Sequence, residues 1–255
     1  QTFCKQNDSS NIGLELISTS LLPRGSGMGA SSILAGCVLV AISHCVNNNN
    51  DSTDLSLSPL EKEEESNSLV QRVLFLEQLL STGGGWQDQV GGIFGGLKLG
   101  LSSAHKVPLQ IKINRIALTP KIQTRLNDRL LLAFTGKPRL AKNILQNVLR
   151  QWARRSPDIV QNVHSLVAGA HEVVKAVQEG DLDALGKQLS LYWGQKKLMA
   201  GLDSGVEPVV VNQVISHLQG LNIIIAGTLV GAGGGGFMAL FLQEGKTAED
   251  VKESL

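Results

Sequence analysis

The sequence predicts an α+β protein of two domains that meet near residue 119. Three observations predict it. Strand-like texture fills residues 92–118, while long helical periodicities run through 139–154, 158–179 and 181–199. Two glycine runs, at 25–29 and 231–236, each lie against an apolar segment and read as tight turns rather than linkers. The chain has 255 residues, 42% of them hydrophobic and 18% charged. That is enough apolar material for one large or two ordinary domains. A formal net charge of +1 argues against a general nucleic-acid binder.

In chain order, IGLELISTSLL (12–22) is β-rich and stops at Pro23, which predicts a strand. Residues 28–45 predict a helix after the first glycine run. MGASSILAGCVLVAISHCV (28–46) is only as long as a minimal membrane span, opens with Gly and Ser, and contains His44. It reads as a buried helix, and no membrane is expected. Residues 1–11 are polar and lack the apolar core of a signal peptide. Cys4, Cys37 and Cys45 form no C-x-x-C pair and no even framework, so a reduced, cytoplasmic setting is expected. Cys37, His44 and Cys45 read as helix packing rather than as metal ligands. The Asn-, Ser- and Glu-rich stretch 47–66 predicts a disordered insert.

Leu69, Val70, Val73, Leu74, Leu76, Leu79 and Leu80 recur with helical spacing over 68–81, and glycines at 83–85 stop that helix. GGIFGGLKLGLSS and VPLQIKINRIAL suggest a hairpin across 92–118. Pro120 marks a boundary, and DRLLLAFTG (128–136) reads as a buried strand. Helices follow at 139–154, 158–179, 181–199 and 208–218. FMALFL is a strand candidate, and TAEDVKESL opens a last helix. The expected domains are 1–118 and 119–255.

The stretch LLPRGSGMGASSILAG (21–36) raises a chemical question. Gly25, Gly27 and Gly29 stand at every second position, and Ser31 and Ser32 follow where a helix begins. Glycines are costly to order, so three in five residues need a local reason. Backbone N–H groups exposed at a helix N-terminus form an anion site, and phosphate is the usual anion. The loop lacks the lysine of a Walker A motif and the G-x-G-x-x-G spacing of a dinucleotide fingerprint. Taken alone, it fits a ligand-less strand-to-helix turn equally well. In GGGWQDQVGG (83–92), Asp88 reads as a general base, a metal ligand or the N-cap of a short helix. GAGGGG (231–236) reads as a close backbone approach. Lys137, directly after Thr135 and Gly136, is a candidate phosphate contact; the alternative is a solvated face shared with Arg139 and Lys142.

Together, P-x-G-S-G-x-G-x-S-S, an Asp in a Gly-rich turn and a late G-A-G-G-G-G resemble the GHMP kinases, the relatives of galactokinase, homoserine kinase and mevalonate kinase. GSGMGASSILAG, LEQLLSTGGGWQDQVGG, LLLAFTGKPRLAKNILQNVLRQWARR, YWGQKKLMA and GAGGGGF are similar to the fucokinase branch over nearly the whole chain. The resemblance implies a two-domain GHMP kinase fold. Its N-terminal domain resembles the second domain of ribosomal protein S5 and is incomplete here, and its C-terminal domain is ferredoxin-like. It implies transfer of a phosphoryl group from ATP, with Mg²⁺, to the anomeric hydroxyl of L-fucose, giving fucose 1-phosphate in fucose salvage.

By the same resemblance, Gly25, Ser26, Gly27, Met28, Gly29, Ala30, Ser31 and Ser32 wrap the triphosphate. Ser31 and Glu77 hold the metal. Asp88 takes or orients the proton of the attacking hydroxyl. Gly231, Gly233, Gly234 and Gly235 match a third motif that packs near the phosphate loop. The family's first motif has no counterpart in this chain, and the chain stops soon after the third. A fragment clipped at both ends is therefore expected, from a longer protein with a pyrophosphorylase-like part. The alternatives are a kinase of heptose phosphate or arabinose, and a truncated nucleotide-binding piece without turnover.

Overall fold

The computed structural model describes residues 2–6, 14–47, 63–80, 84–137, 141–201 and 203–255. The chain divides into two compact units, one of residues 1–23, 29–95 and 100–114, the other of 24–28, 96–99 and 115–255. Among the described residues, no helix is long and apolar enough to cross a membrane.

The first unit opens with β1 (Thr2–Gln6) and β2 (Leu14–Ser18), an antiparallel pair with Thr2 opposite Ser18. Three helices follow: α1 (Ala30–Asn47), α2 (Glu63–Leu79) and α3 (Gln87–Ile93). Helix α2 starts earlier than the periodicity predicts, so residues 63–66 of the expected insert are helical, and 48–62 lie outside the described residues. A run of glutamates suits a helix N-terminus, where the macrodipole favours negative charge. The expected hairpin is shorter than 92–118: β3 (Lys98–Ser102) pairs with β4 (Ile111–Arg115), and residues 92 and 93 belong to α3. Glycine disfavours a helix by roughly 1 kcal/mol, which hides α3 in the sequence. Packing overrides that preference, because a Cβ on Gly92 would stand 2.7 Å from Ile33 Cγ1 of α1. Val70, Val90, Phe94 and Ile111 form the buried core, with Trp86, Leu109 and Ile113 against it.

The second unit begins with α4 (Pro120–Arg129), which the sequence reading missed. Thr119 caps it by accepting from the Ile122 N–H at 3.3 Å, and Pro120 takes the first helical position, where a missing N–H costs nothing. Asp128 and Arg129 therefore end a helix, and the strand β5 is Leu130–Phe134. Next come α5 (Ala141–Arg154), α6 (Pro157–Glu179), α7 (Leu182–Ala200) and α8 (Val209–Gly220). Strands β6 (Ile224–Leu229) and β7 (Phe237–Leu242) flank the second glycine run, and α9 (Ala248–Glu253) follows. Strand β6 was not foreseen; its residues, IIAGTL, are nearly all buried and show no apolar alternation.

The three strands form an antiparallel sheet in the order β5-β7-β6. Met238, Leu240 and Leu242 alternate onto one face, where Trp193, Val211, Ile215 and Leu218 bury them. Phe241 points to the other face, into a core with Val177, Leu182 and Leu185. On edge strand β5, Leu130, Leu132 and Phe134 remain 44%, 43% and 44% exposed. Cys37 is a free thiol. Cys45 is disulfide-bonded, which corrects the expectation that it is reduced.

Candidate active site

Gly25, Gly27 and Gly29 all adopt left-handed backbone angles, with φ of 69°, 85° and 68°. That is the local reason for their spacing, since side chains rarely tolerate this region. The chain passes from the second unit into the first between Met28 and Gly29, so the loop has two halves, each with its own surroundings.

In the first unit, the Gly29 carbonyl accepts the Ile33 N–H at 3.0 Å and opens α1. Ala30, Ser31 and Ser32 form its first turn, which carries no acidic residue to offset the positive end of the helix dipole. Glu77 lies on the face of α2 that buries Val70 and Val73, and is only 6% exposed. A buried carboxylate needs donors, and three side chains supply them. Ser31 Oγ and the buried Ser32 Oγ each donate to Glu77 Oε1 at 2.9 Å. The amide Nε2 of Gln89, wholly buried on α3, donates to Oε2.

Asp88 sits in the first turn of α3, after the N-cap residue Trp86. It is a helical residue and does not cap that helix. Its backbone abuts the loop, because a Cβ on Gly29 would lie 3.3 Å from the Asp88 carbonyl oxygen. The first unit thus brings Gly29, Ser31, Ser32, Glu77 and Asp88 together. The donors suit a hard divalent cation such as Mg²⁺. They are a serine hydroxyl and a carboxylate; the Gln89 Oε1 carbonyl is buried without a hydrogen-bond partner among the described residues.

The sequence reading assigned Gln89 no role. A signal for the cluster was present, since Glu77 falls seven residues after Val70 and four after Val73, where a core helix would carry an apolar residue.

In the second unit, residues 24–28 meet the glycine run. The Phe237 N–H donates to the Ser26 carbonyl at 3.0 Å. A Cβ on Gly236 would run into the Ser26 carbonyl oxygen and stand 2.8 Å from that of Gly25. Gly236 in turn donates to the Lys137 carbonyl at 2.9 Å and accepts from the Thr135 N–H at 2.9 Å. The Lys137 backbone is therefore tied to the run, while its side chain is exposed. Gly234 N–H donates to the Val206 carbonyl at 2.8 Å, and a Cβ on Gly233 would come within 2.7 Å of that oxygen.

Lys196, another residue without a predicted role, donates from Nζ to the carbonyls of Leu229 (3.3 Å) and Gly231 and lies over the rings of Tyr192 and Trp193. Nearby, Glu207 accepts from Trp193 Nε1 at 2.5 Å, Lys197 Nζ at 2.9 Å and Asn212 Nδ2 at 3.0 Å. Burial pushes the Glu207 carboxyl up, but the Lys197, Trp193 and Asn212 donors outweigh it and hold it below the ordinary glutamate range.

Residues 173–255 match the family described as GHMP kinases C terminal. The chain carries a GHMP kinase C-terminal domain. Over 253 residues the chain is 29% identical to the bifunctional fucokinase/GDP-fucose pyrophosphorylase of Arabidopsis thaliana, covering 98% of this chain and 22% of that protein. Over 245 residues it is 33% identical to the L-fucokinase/L-fucose-1-P guanylyltransferase of Bacteroides fragilis, covering 95% and 24%. The chain thus spans about a quarter of the length of these two relatives. It superposes on the crystal structure of a candidate sugar kinase from Campylobacter jejuni with a TM-score of 0.64 at 24% identity, covering 95% of this chain and 63% of that one. The fold is that of the GHMP kinases, α+β as expected.

Proposed function

We propose that this chain is the kinase portion of an ATP-dependent sugar 1-kinase whose acceptor is L-fucose. The observation that carries the reading is the first-unit cluster: two serine hydroxyls on the buried Glu77 carboxylate, with Asp88 against Gly29 at the head of α1. The fucokinase names of two relatives supply the acceptor.

On this reading the N–H groups of the loop 25–32 hold phosphate oxygens, with the α1 dipole behind them. Ser31 and Glu77 would hold Mg²⁺, which would supply charge neutralisation for the phosphates. Asp88 accepts or orients the proton of the anomeric hydroxyl. The sugar oxygen bonds to the γ-phosphorus, the bond from that phosphorus to the β,γ-bridging oxygen breaks, and ADP leaves. Positioning and charge neutralisation do most of this work.

Asp88→Asn tests the role of the acid, since it keeps the shape and loses the charge. Turnover of L-fucose with MgATP should fall by about 10²–10⁴-fold, the usual cost of a lost general base. Nucleotide affinity, measured by titration, should stay within a few-fold. Unchanged turnover with a lower melting temperature would mean that Asp88 is structural. Turnover of heptose phosphate or arabinose in place of L-fucose would move the acceptor and leave the kinase reading standing.

A further inference from the structure

We infer that Gln89 is the positioning residue of the Glu77 carboxylate, an inference that rests on the reading of Ser31 and Glu77 as metal-holding residues. The amide is wholly buried and reaches Glu77 from a different helix, α3 against α2. Its orientation follows from chemistry. Nε2 must face Glu77, because the reversed amide would press one acceptor oxygen against another. Gln89 therefore occupies Oε2, and Ser32, equally buried, occupies Oε1. With a buried donor on each oxygen, the carboxylate cannot turn about its last torsion without breaking both bonds. Ser31, the exposed member, shares Oε1 with Ser32. Oε1 is thereby fixed as the oxygen on the side of the loop.

The same short helix places Asp88 against Gly29 and Gln89 against Glu77. Consecutive helical side chains diverge by about 100°, so one turn of α3 serves both neighbours. The arrangement has a cost: Gln89 Oε1 is buried without a hydrogen-bond partner among the described residues. An unpaired buried carbonyl destabilises a fold, and an apolar side chain of equal length would avoid it.

The test is Gln89→Met in the full chain, which keeps length and flexibility and removes both the donor and the unpaired oxygen. Melting temperature in metal-free buffer should change little, because loss of the donor to Glu77 Oε2 opposes removal of the unpaired Oε1. Affinity for Mn²⁺, read by electron paramagnetic resonance with a non-hydrolysable ATP analogue present, should fall about 10–100-fold, as for other residues that orient a metal ligand. Lost stability with unchanged Mn²⁺ affinity, or failure to fold, overturns the inference, since either makes the amide a structural group. Glu77→Gln, measured in parallel, separates the two levels. If it loses Mn²⁺ affinity while Gln89→Met keeps it, the positioning role alone falls. If Glu77→Gln keeps its affinity, the metal reading falls and the positioning role with it.

Discussion

The two glycine-bearing loops of this molecule are held by different kinds of chemistry. Where Gly29 enters α1, order comes from side chains: two hydroxyls and an amide converge on one buried carboxylate. At 231–236, order comes from the backbone. Carbonyls of Gly25, Ser26 and Val206 approach so closely that a Cβ on Gly233 or Gly236 has no room. Lys196 adds one side-chain clamp at the start of that run. A side-chain site can be altered one group at a time. A backbone site tolerates little, because each glycine fills a position that only glycine can fill.

The largest stability change should come from Gly236→Ala. Its φ of 85° and the overlap with the Ser26 carbonyl combine strain with a backbone clash. The cost should be at least about 2 kcal/mol, a drop in melting temperature of roughly 4–8 °C. Gly84→Ala, with nothing within 4 Å of the added carbon, should change stability by less than about 0.5 kcal/mol. Equal melting temperatures for the two variants would break the comparison.

Lys196→Met asks whether the second loop depends on its clamp. The substitution keeps much of the packing on Tyr192 and Trp193 and loses the donors to Leu229 and Gly231. About 1 kcal/mol should be lost by denaturant titration. A loss as large as that of Gly236→Ala would mean that side chains hold both loops.

The smallest effect is a pH dependence at Glu207. Its carboxyl is depressed in the folded chain, so its contribution is fully present above the ordinary glutamate value of about 4.3. It is lost as pH falls through the lower folded value. Melting followed by tryptophan fluorescence from about pH 5 down to pH 3 should show a shallower acid slope in Glu207→Gln than in the parent. Parallel slopes would show that Lys197, Trp193 and Asn212 do not favour the charged form.

Much of the architecture was legible, and the failures share a cause. Helices α5 to α8 follow apolar periodicity and were found within a few residues of their ends. Helix α4 was missed, and α3 entered only as one alternative for Asp88, because their residues prefer other structures. Gly91 and Gly92 both oppose a helix, and packing against Ile33 holds Gly92 in one, while the boundary at Pro120 is itself a helix start. The alternating glycines at 25, 27 and 29 marked a tight turn, and the backbone angles show that its reason is left-handed geometry. Gln89 could not be found that way. Its partner is 12 residues distant on another helix, and no local pattern encodes that pairing. A carboxylate on a valine-lined face was the one available clue, and reading helix faces residue by residue would have found it.

Strand β5 has a consequence for colloidal behaviour. It lies at the end of its sheet, pairs only with β7 among the described residues, and turns Leu130, Leu132 and Phe134 partly toward solvent on one face. Oily side chains beside a row of unpaired backbone groups invite strand addition by another molecule. Concentration, ionic strength and choice of fusion partner therefore govern how much of this chain stays monodisperse, and a charged residue at position 132 is the economical remedy.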